Sequence, residues 1–169
     1  METSSNSSPE ENASHPHHNI KLRPATMDDA EMLLQWRSDP DSIKNSLKQS
    51  PPPSLDHHKA WLQAVIDSPT VDMVIATVGD TAVGTVRLER GVVSITIAPE
   101  HRGHGHGSSM LRELCERYKD RVLTAAIRGH NIASQRIFEK NGFHVTYIMT
   151  DQQNAGIVLF YARPSCPSL

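Results

Sequence analysis

"PEHRGHGHGSS", residues Pro99 to Ser109, carries three glycines and three histidines. It follows the alternating run Val92-Val93-Ser94-Ile95-Thr96-Ile97, which has the period of a strand. It leads into Ser108 to Tyr118, where Met110, Leu111, Leu114, Cys115 and Tyr118 share one side and Arg112, Glu113, Glu116 and Arg117 the other. A strand that runs through closely spaced glycines into a helix presents backbone N–H groups at the positive end of the helix dipole. Gly103, Gly105 and Gly107 let the main chain approach an anion, and Arg102 and Ser108 add side-chain donors. The alternative is a metal held by His101, His104 and His106. Zinc needs further ligands and second-shell support, and the neighbourhood offers only Glu100, so the expectation is an anion cradle and no metal. The spacing matches neither a P-loop, which ends in Gly-Lys-Ser/Thr, nor a dinucleotide fingerprint.

The chain has 169 residues, the size of one domain. Its 17 Lys and Arg nearly balance 19 Asp and Glu, so no basic field advertises nucleic acid or an anionic membrane. Two cysteines, Cys115 and Cys166, make no disulfide framework and suit a reducing cytoplasm. Residues 1–19, rich in Ser, Asn, Glu, Pro and His, hold no apolar segment for a signal peptide or a membrane span and read as a disordered tail. The domain is expected over 20–164, with a second tail at 165–169.

Ile20 to Arg23 reads as a strand, and Thr26 with Asp29 as a capping box opening a helix to about Arg37, stopped by Ser38-Asp39-Pro40. An irregular stretch and the Pro-rich Gln49 to Ser54 follow, and Ser54 caps a helix through Trp61 and Ile66. Val71 to Val78, Ala82 to Glu89 and Val92 to Ala98 form an antiparallel meander, turning at Gly79-Asp80 and Arg90-Gly91. After the helix from Ser108 come a strand at Val122 to Ile127, a helix from about Asn131 to Lys140, and strands at Phe143 to Met149 and Gly156 to Ala162. Gly142 reads as a left-handed helix cap. The sum is a single α/β domain with a mixed sheet.

Two blocks carry a family resemblance. Arg102-Gly103-His104-Gly105-His106-Gly107 resembles the R/Q-x-x-G-x-G/A signature of the GNAT N-acyltransferase superfamily, and Asn131 to Phe143 resembles its N-x-x-A/S-x-x-x-Y/F-x-K-x-G-F segment. The resemblance implies a mostly antiparallel sheet flanked by helices and splayed between the strand ending at Ala98 and the strand Val122 to Ile127. It also implies acetyl-CoA as cosubstrate, with its pyrophosphate on Arg102 to Ser108 and its pantetheine arm in the gap. The main chain at Ile95 and Ile97 would pair with the arm, an amide there would face the thioester oxygen, and Asn131, Phe138 and Lys140 would complete the site. His104 and His106 stand where relatives often carry Lys or Arg, so charge on them is expected to favour the pyrophosphate.

Acetyl transfer to an amine also needs a proton acceptor and a proton donor for the leaving thiolate. Val92 stands where many relatives carry a glutamate base, which leaves Glu89 and His101 as candidates, each readable also as a solvated surface residue. Phe138 stands where many carry a tyrosine donor; Ser134 and Tyr147 are the nearest hydroxyl substitutes. The front half, Leu33 to Ser46 and Ser54 to Leu62, is similar to GNAT members that acetylate aminosugar nucleotides, which implies acceptor contacts from Trp36, Arg37 and His58. Trp36 and Trp61 read equally as core aromatics. The expected function is N-acetylation of a small amine acceptor by a monomer or homodimer. Acetylation of a protein N-terminus or lysine, or non-catalytic sensing of acyl-CoA, are the competing readings.

Overall fold

The structure, a computed structural model, describes residues 19–151 and 156–166. The expected N-terminal tail lies outside the described residues apart from Asn19, and so does the C-terminal tail beyond Cys166. A seven-stranded sheet runs β1 (Ile20–Pro24), β2 (Val71–Val78), β3 (Thr81–Glu89), β4 (Val92–Ile97), β5 (Leu123–Arg128), β7 (Gly156–Arg163), β6 (His144–Asp151). All neighbours are antiparallel except β4 and β5.

The local chemistry explains this order. The β3–β4 turn places Arg90 and Gly91 at φ 48° and 85°, the double left-handed conformation that matches strand twist in a tight hairpin. The parallel β4–β5 pair requires a crossover, supplied by α4 (His106–Arg117). The helix α5 (Ile132–Lys140) returns the chain to β6, and Gly142 at φ 82° ends it in the left-handed conformation expected there.

Both faces of the sheet are covered. Under α4 and α5 lies a core containing Val86, Leu88, Val93, Met110, Leu111, Leu114, Leu123, Ala125, Phe138, Phe143 and Tyr161. On the opposite face, α1 (Ala30–Ser38) and α3 (Leu55–Ile66) bury Leu33, Trp36, Leu62, Ile75 and Ala98. The capping box is present, with Asp29 also receiving the Arg23 guanidinium at 2.6 and 2.8 Å, but it caps a 3-10 turn at Met27–Asp29 ahead of α1.

Most strand ends shift by one or two residues from the sequence reading, and three differences bear on the site. The stretch after Ser38, expected to be irregular, contains α2 (Pro40–Asn45): Asp39 caps it by accepting the Ser42 N–H, and Pro40 is its first residue. Proline stops one helix here and pre-forms the first turn of the next. The helix α4 starts at His106, two residues before Ser108, because Gly105, at φ 81°, caps it. The strand β5 runs one residue past Ile127, to Arg128.

Trp36 is 3% exposed and belongs to the core, which corrects its assignment as an acceptor contact. It packs with Leu33, Leu62 and Ile75 between the helices and the sheet. His58 is also buried, 2% exposed, tilted against Trp61 at 5.2 Å, and neither ring nitrogen has a hydrogen-bond partner. A buried ring with no partner resists protonation, and the nearby Arg37 charge adds to this, so the imidazole titrates below its ordinary value.

Two outcomes follow from this packing. A Cβ at Gly84 would sit 2.5 Å from the Thr96 carbonyl oxygen, so Gly84→Ala is expected to lower stability by about 1–3 kcal/mol, read from the urea midpoint. Because folded His58 stays neutral while the unfolded chain protonates near its ordinary value, stability is lost as pH falls below about 6.5. For one proton the slope is at most about 1.4 kcal/mol per pH unit. His58→Leu should flatten this limb between pH 7.5 and 5.5; an unchanged slope would assign it to another group.

Candidate active site

The strands β4 and β5 start side by side and then part. Their shared register is the single pair Val92 and Thr124, closed by the Thr124 N–H donating to the Gly91 carbonyl at 2.8 Å. Toward their C-terminal ends the two strands diverge into a wedge. The Gly91 carbonyl points at β5, while the Ala98 N–H turns the other way, to the Val83 carbonyl at 3.0 Å. Strand alternation between these two points aims the main-chain groups of Val93, Ile95 and Ile97 into the wedge. Ile95 and Ile97 therefore lie where the sequence reading expects backbone pairing with an extended arm.

Each flank of the wedge feeds a helix, α4 after β4 and α5 after β5, so two positive helix ends stand at its mouth. Gly103 and Gly105 take φ 79° and 81° in the loop, and the Ser109 N–H bonds to the Gly105 carbonyl at 3.3 Å. The amides of Gly107 and Ser108 therefore precede the first intrahelical bond. Gly107 has a second constraint: a Cβ would lie 2.6 Å from Ile97 Cδ1 and 2.8 Å from Ile137 Cδ1. Only glycine lets the end of α4 approach both β4 and α5 so closely.

The Ser108 hydroxyl is oriented by Asn141, a residue the sequence reading missed. Asn141 Nδ2 donates to the Ile137 carbonyl at 2.7 Å and to Ser108 Oγ at 3.2 Å. A carbonyl only accepts, so the amide nitrogen is fixed on this side and Ser108 Oγ is the acceptor. Its own hydrogen remains available to a further partner.

The histidines cluster around His106, with His101 edge-on to it and His104 tilted against it. His106 is buried at the first helical position, with ring centroids 5.8 Å from His101 and 6.1 Å from His104. His104 is the exposed member. Among the described residues no group of three or more His, Cys, Asp or Glu is placed to hold a metal ion.

Arg102 departs from its expected role. Its guanidinium pairs with Asp39 at 2.6 Å and Asp41 at 3.3 Å and donates to Ser42 Oγ at 3.0 Å, all at the start of α2. Its charge is thus spent on carboxylates, one of which, Asp39, is held below the usual carboxylate range by hydrogen bonds that outweigh its partial burial. Phe138 is likewise corrected: at 2% exposed, edge-to-face with Phe143 at 4.9 Å, it is core and not a lining residue. Asn131 caps α5, its Oδ1 accepting the Ser134 N–H at 3.1 Å, and Ser134 is half-buried in the same first turn. Lys140 is exposed at the other end of α5, away from the mouth.

Glu89 lies directly across from Val92, at the vertex where β4 and β5 still touch, and pairs with Arg87 at 2.7 Å. His101 ends the 3-10 turn Pro99–His101 at the opposite end of β4, so the two candidate bases are a strand's length apart. Tyr147 projects from β6 against Phe160, two strands away from the β5 flank. Arg37 lies over the Trp61 ring at 5.9 Å on the α1–α3 surface.

A groove of about 520 Å³ opens beside β5, lined by Leu47, Ala126, Met149, Asp151, Val158 and Phe160. Arg128 holds two of its walls. It is 2% exposed and donates from Nε to the Ser46 carbonyl (3.3 Å), from one terminal nitrogen to the Leu47 carbonyl (2.7 Å) and from the other to Asp151 Oδ2 (2.7 Å). No periodic signal marked this residue, since it sits at a strand end and its partners are loop carbonyls. A second cavity, of about 640 Å³, lies at the far end of α4 between Lys21, Glu113 and Arg117, remote from the wedge.

Among the described residues no helix is long and apolar enough to cross a membrane. No curated protein sequence matches this one. Solved structures do. The ribosomal alpha-N-protein acetyltransferase RimL in complex with coenzyme A is 17% identical, covers 89% of this chain and 97% of its own, and superposes with a TM-score of 0.78. The spermidine N-acetyltransferase of Vibrio cholerae, bound to CoA and spermine, is 14% identical, with 85% and 94% covered and a TM-score of 0.78. The aminoglycoside acetyltransferase AAC(6')-Ib, with coenzyme A and kanamycin, is 20% identical, with 86% and 95% covered and a TM-score of 0.71. The acetyltransferase (GNAT) domain family matches residues 19–144, the span that contains the wedge, its glycine loop and both helix N-termini, and the chain belongs to that family.

Proposed function

We propose that this protein transfers an acetyl group from acetyl-CoA to the primary amine of a small acceptor. The observation that carries the reading is the wedge: an unpaired strand edge whose mouth is flanked by two helix N-termini. An extended arm with an anionic head is complementary to that combination, its anion meeting the amides of Gly107 and Ser108 and its length meeting Ile97 and Ile95. The relatives with similar structures are acetyltransferases crystallised with coenzyme A, which supports the same donor.

The donor supplies an activated acetyl carbon; the protein's residues do the rest. A β4 amide directed into the wedge offers a fixed donor to charge developing on the thioester oxygen, without reorganisation. Glu89, at the vertex, accepts the amine proton through water, in place of a base at Val92. The amine nitrogen forms the new bond to the acetyl carbon, the carbon–sulfur bond breaks, and the thiolate takes its proton from solvent, since Phe138 has none to give. The groove under Leu47 and Phe160 receives the acceptor. Within this class, the likeness of the front half to aminosugar-nucleotide acetyltransferases favours such an acceptor, with Arg37 on Trp61 as its contact.

The test is thiol release from acetyl-CoA over a panel of aminosugar nucleotides, aminoglycosides, polyamines and N-terminal or lysine peptides. Turnover is expected to be fastest with an aminosugar nucleotide; preference for a peptide would move the function to protein acetylation, and tight coenzyme binding with no turnover at all would make the protein a sensor. With the active acceptor, Glu89→Gln should lower kcat by about 10²-fold or more. An unchanged kcat would remove Glu89 from the chemistry.

A further inference from the structure

The helix α2 has six residues and none of them is buried. A helix so short is not stable by itself, and its apolar contact is limited to the half-buried Ile43. What holds it is an arginine at each end. Arg102, which follows β4, grips Asp39, Asp41 and Ser42 at its N-terminus. Arg128, the last residue of β5, grips the Ser46 and Leu47 carbonyls just past its C-terminus. These anchors come from the two flanks of the wedge. The seven residue steps from the cap at Asp39 to the cap at Ser46 span about 10 Å, roughly twice the 4.8 Å between paired strands. That span leaves room for one extended segment between β4 and β5.

We propose that α2 is a strap tied across the mouth of the wedge, and that Arg102 and Arg128 are positioning residues that set its width and couple it to the segment leading into the acceptor groove. The inference rests on the reading of the wedge as the coenzyme site. Arg102 then promotes coenzyme binding by holding the glycine loop in register with α2, not by donating its charge to phosphate. Asp39 is the informative partner. As a phosphate ligand, Arg102 would be freed by loss of Asp39 and coenzyme would bind more tightly; as half of a tie, its loss of Asp39 loosens the loop and coenzyme binds less tightly.

The experiment compares Asp39→Asn, Arg102→Gln and the double variant in the full chain. Asparagine keeps the helix cap and removes only the charge. Coenzyme A binding is measured by calorimetry, and amide exchange by NMR at Ile43 and Ser46, whose N–H groups bond to the Asp39 and Ser42 carbonyls. Each single variant is expected to weaken coenzyme A about three- to tenfold and to speed exchange at both amides by a similar factor, with the double variant no worse than either. Arg128→Lys, which keeps the charge but not the three-way fork, should speed exchange at Ser46. Tighter coenzyme A binding by Asp39→Asn, or exchange unchanged in all variants, overturns the strap. Faster exchange with unaltered coenzyme affinity overturns the coupling. Wild-type protein that binds no coenzyme A, with exchange responding as expected, overturns the coenzyme reading and leaves the ties in place.

Discussion

The structure depends on where two parallel strands stop pairing. From the closed pair Val92–Thr124 onward, the inner edge of β4 gives up a β-ladder that its sequence could have made. An unpaired edge inside a sheet carries a cost, because its N–H and C=O groups still need partners. The fold maintains this opening with close packing on the α4 side. Gly107 lets the first turn of α4 touch Ile97 and Ile137, and Gly84 lets Met110 and the Thr96 carbonyl close over β3. The glycines therefore do two different jobs: Gly103 and Gly105 supply backbone conformations, while Gly84 and Gly107 supply room. Together they fix an open strand edge and two helix N-termini at one place.

Charge plays a structural part that composition does not suggest. A fully buried arginine is costly unless every donor is matched, and Arg128 matches its donors with two loop carbonyls and Asp151. Arg102, half-exposed, makes a weaker tie of the same kind. By contrast His58 is buried with no match, which is tolerable because a neutral imidazole costs much less to bury than a cation. The segment around α2 is thus held mainly by polar ties at its ends, and the α4 side of the wedge by apolar contact. The segment held by polar ties is the one expected to open locally.

The periodic parts of the fold were legible. The three-strand meander, the amphipathic α4 and the Gly142 cap follow from alternation, a 3.6-residue period and a φ that glycine tolerates. The left-handed turns of the loop from Pro99 to Ser109 were legible in the same way, because Gly103 and Gly105 stand where the backbone needs positive φ. The helix α2 was hidden because Pro40 carries the same signal for stopping one helix and starting another, and the choice depends on Asp39 capping Ser42.

Local patterns along the chain set the helices and strands other than α2, their order and the class of site, since these depend on neighbours a few residues apart. The tertiary structure decided what the side chains do. Arg102 looked like a phosphate ligand until its partners came from a segment sixty-three residues away; Trp36 and Phe138 looked like lining residues until packing placed them in the core; Arg128 gave no signal at all. A guanidinium binds whichever acceptor the fold brings within 3 Å, and an aromatic ring goes wherever burial is most complete. Both outcomes depend on distances between segments that no local pattern encodes.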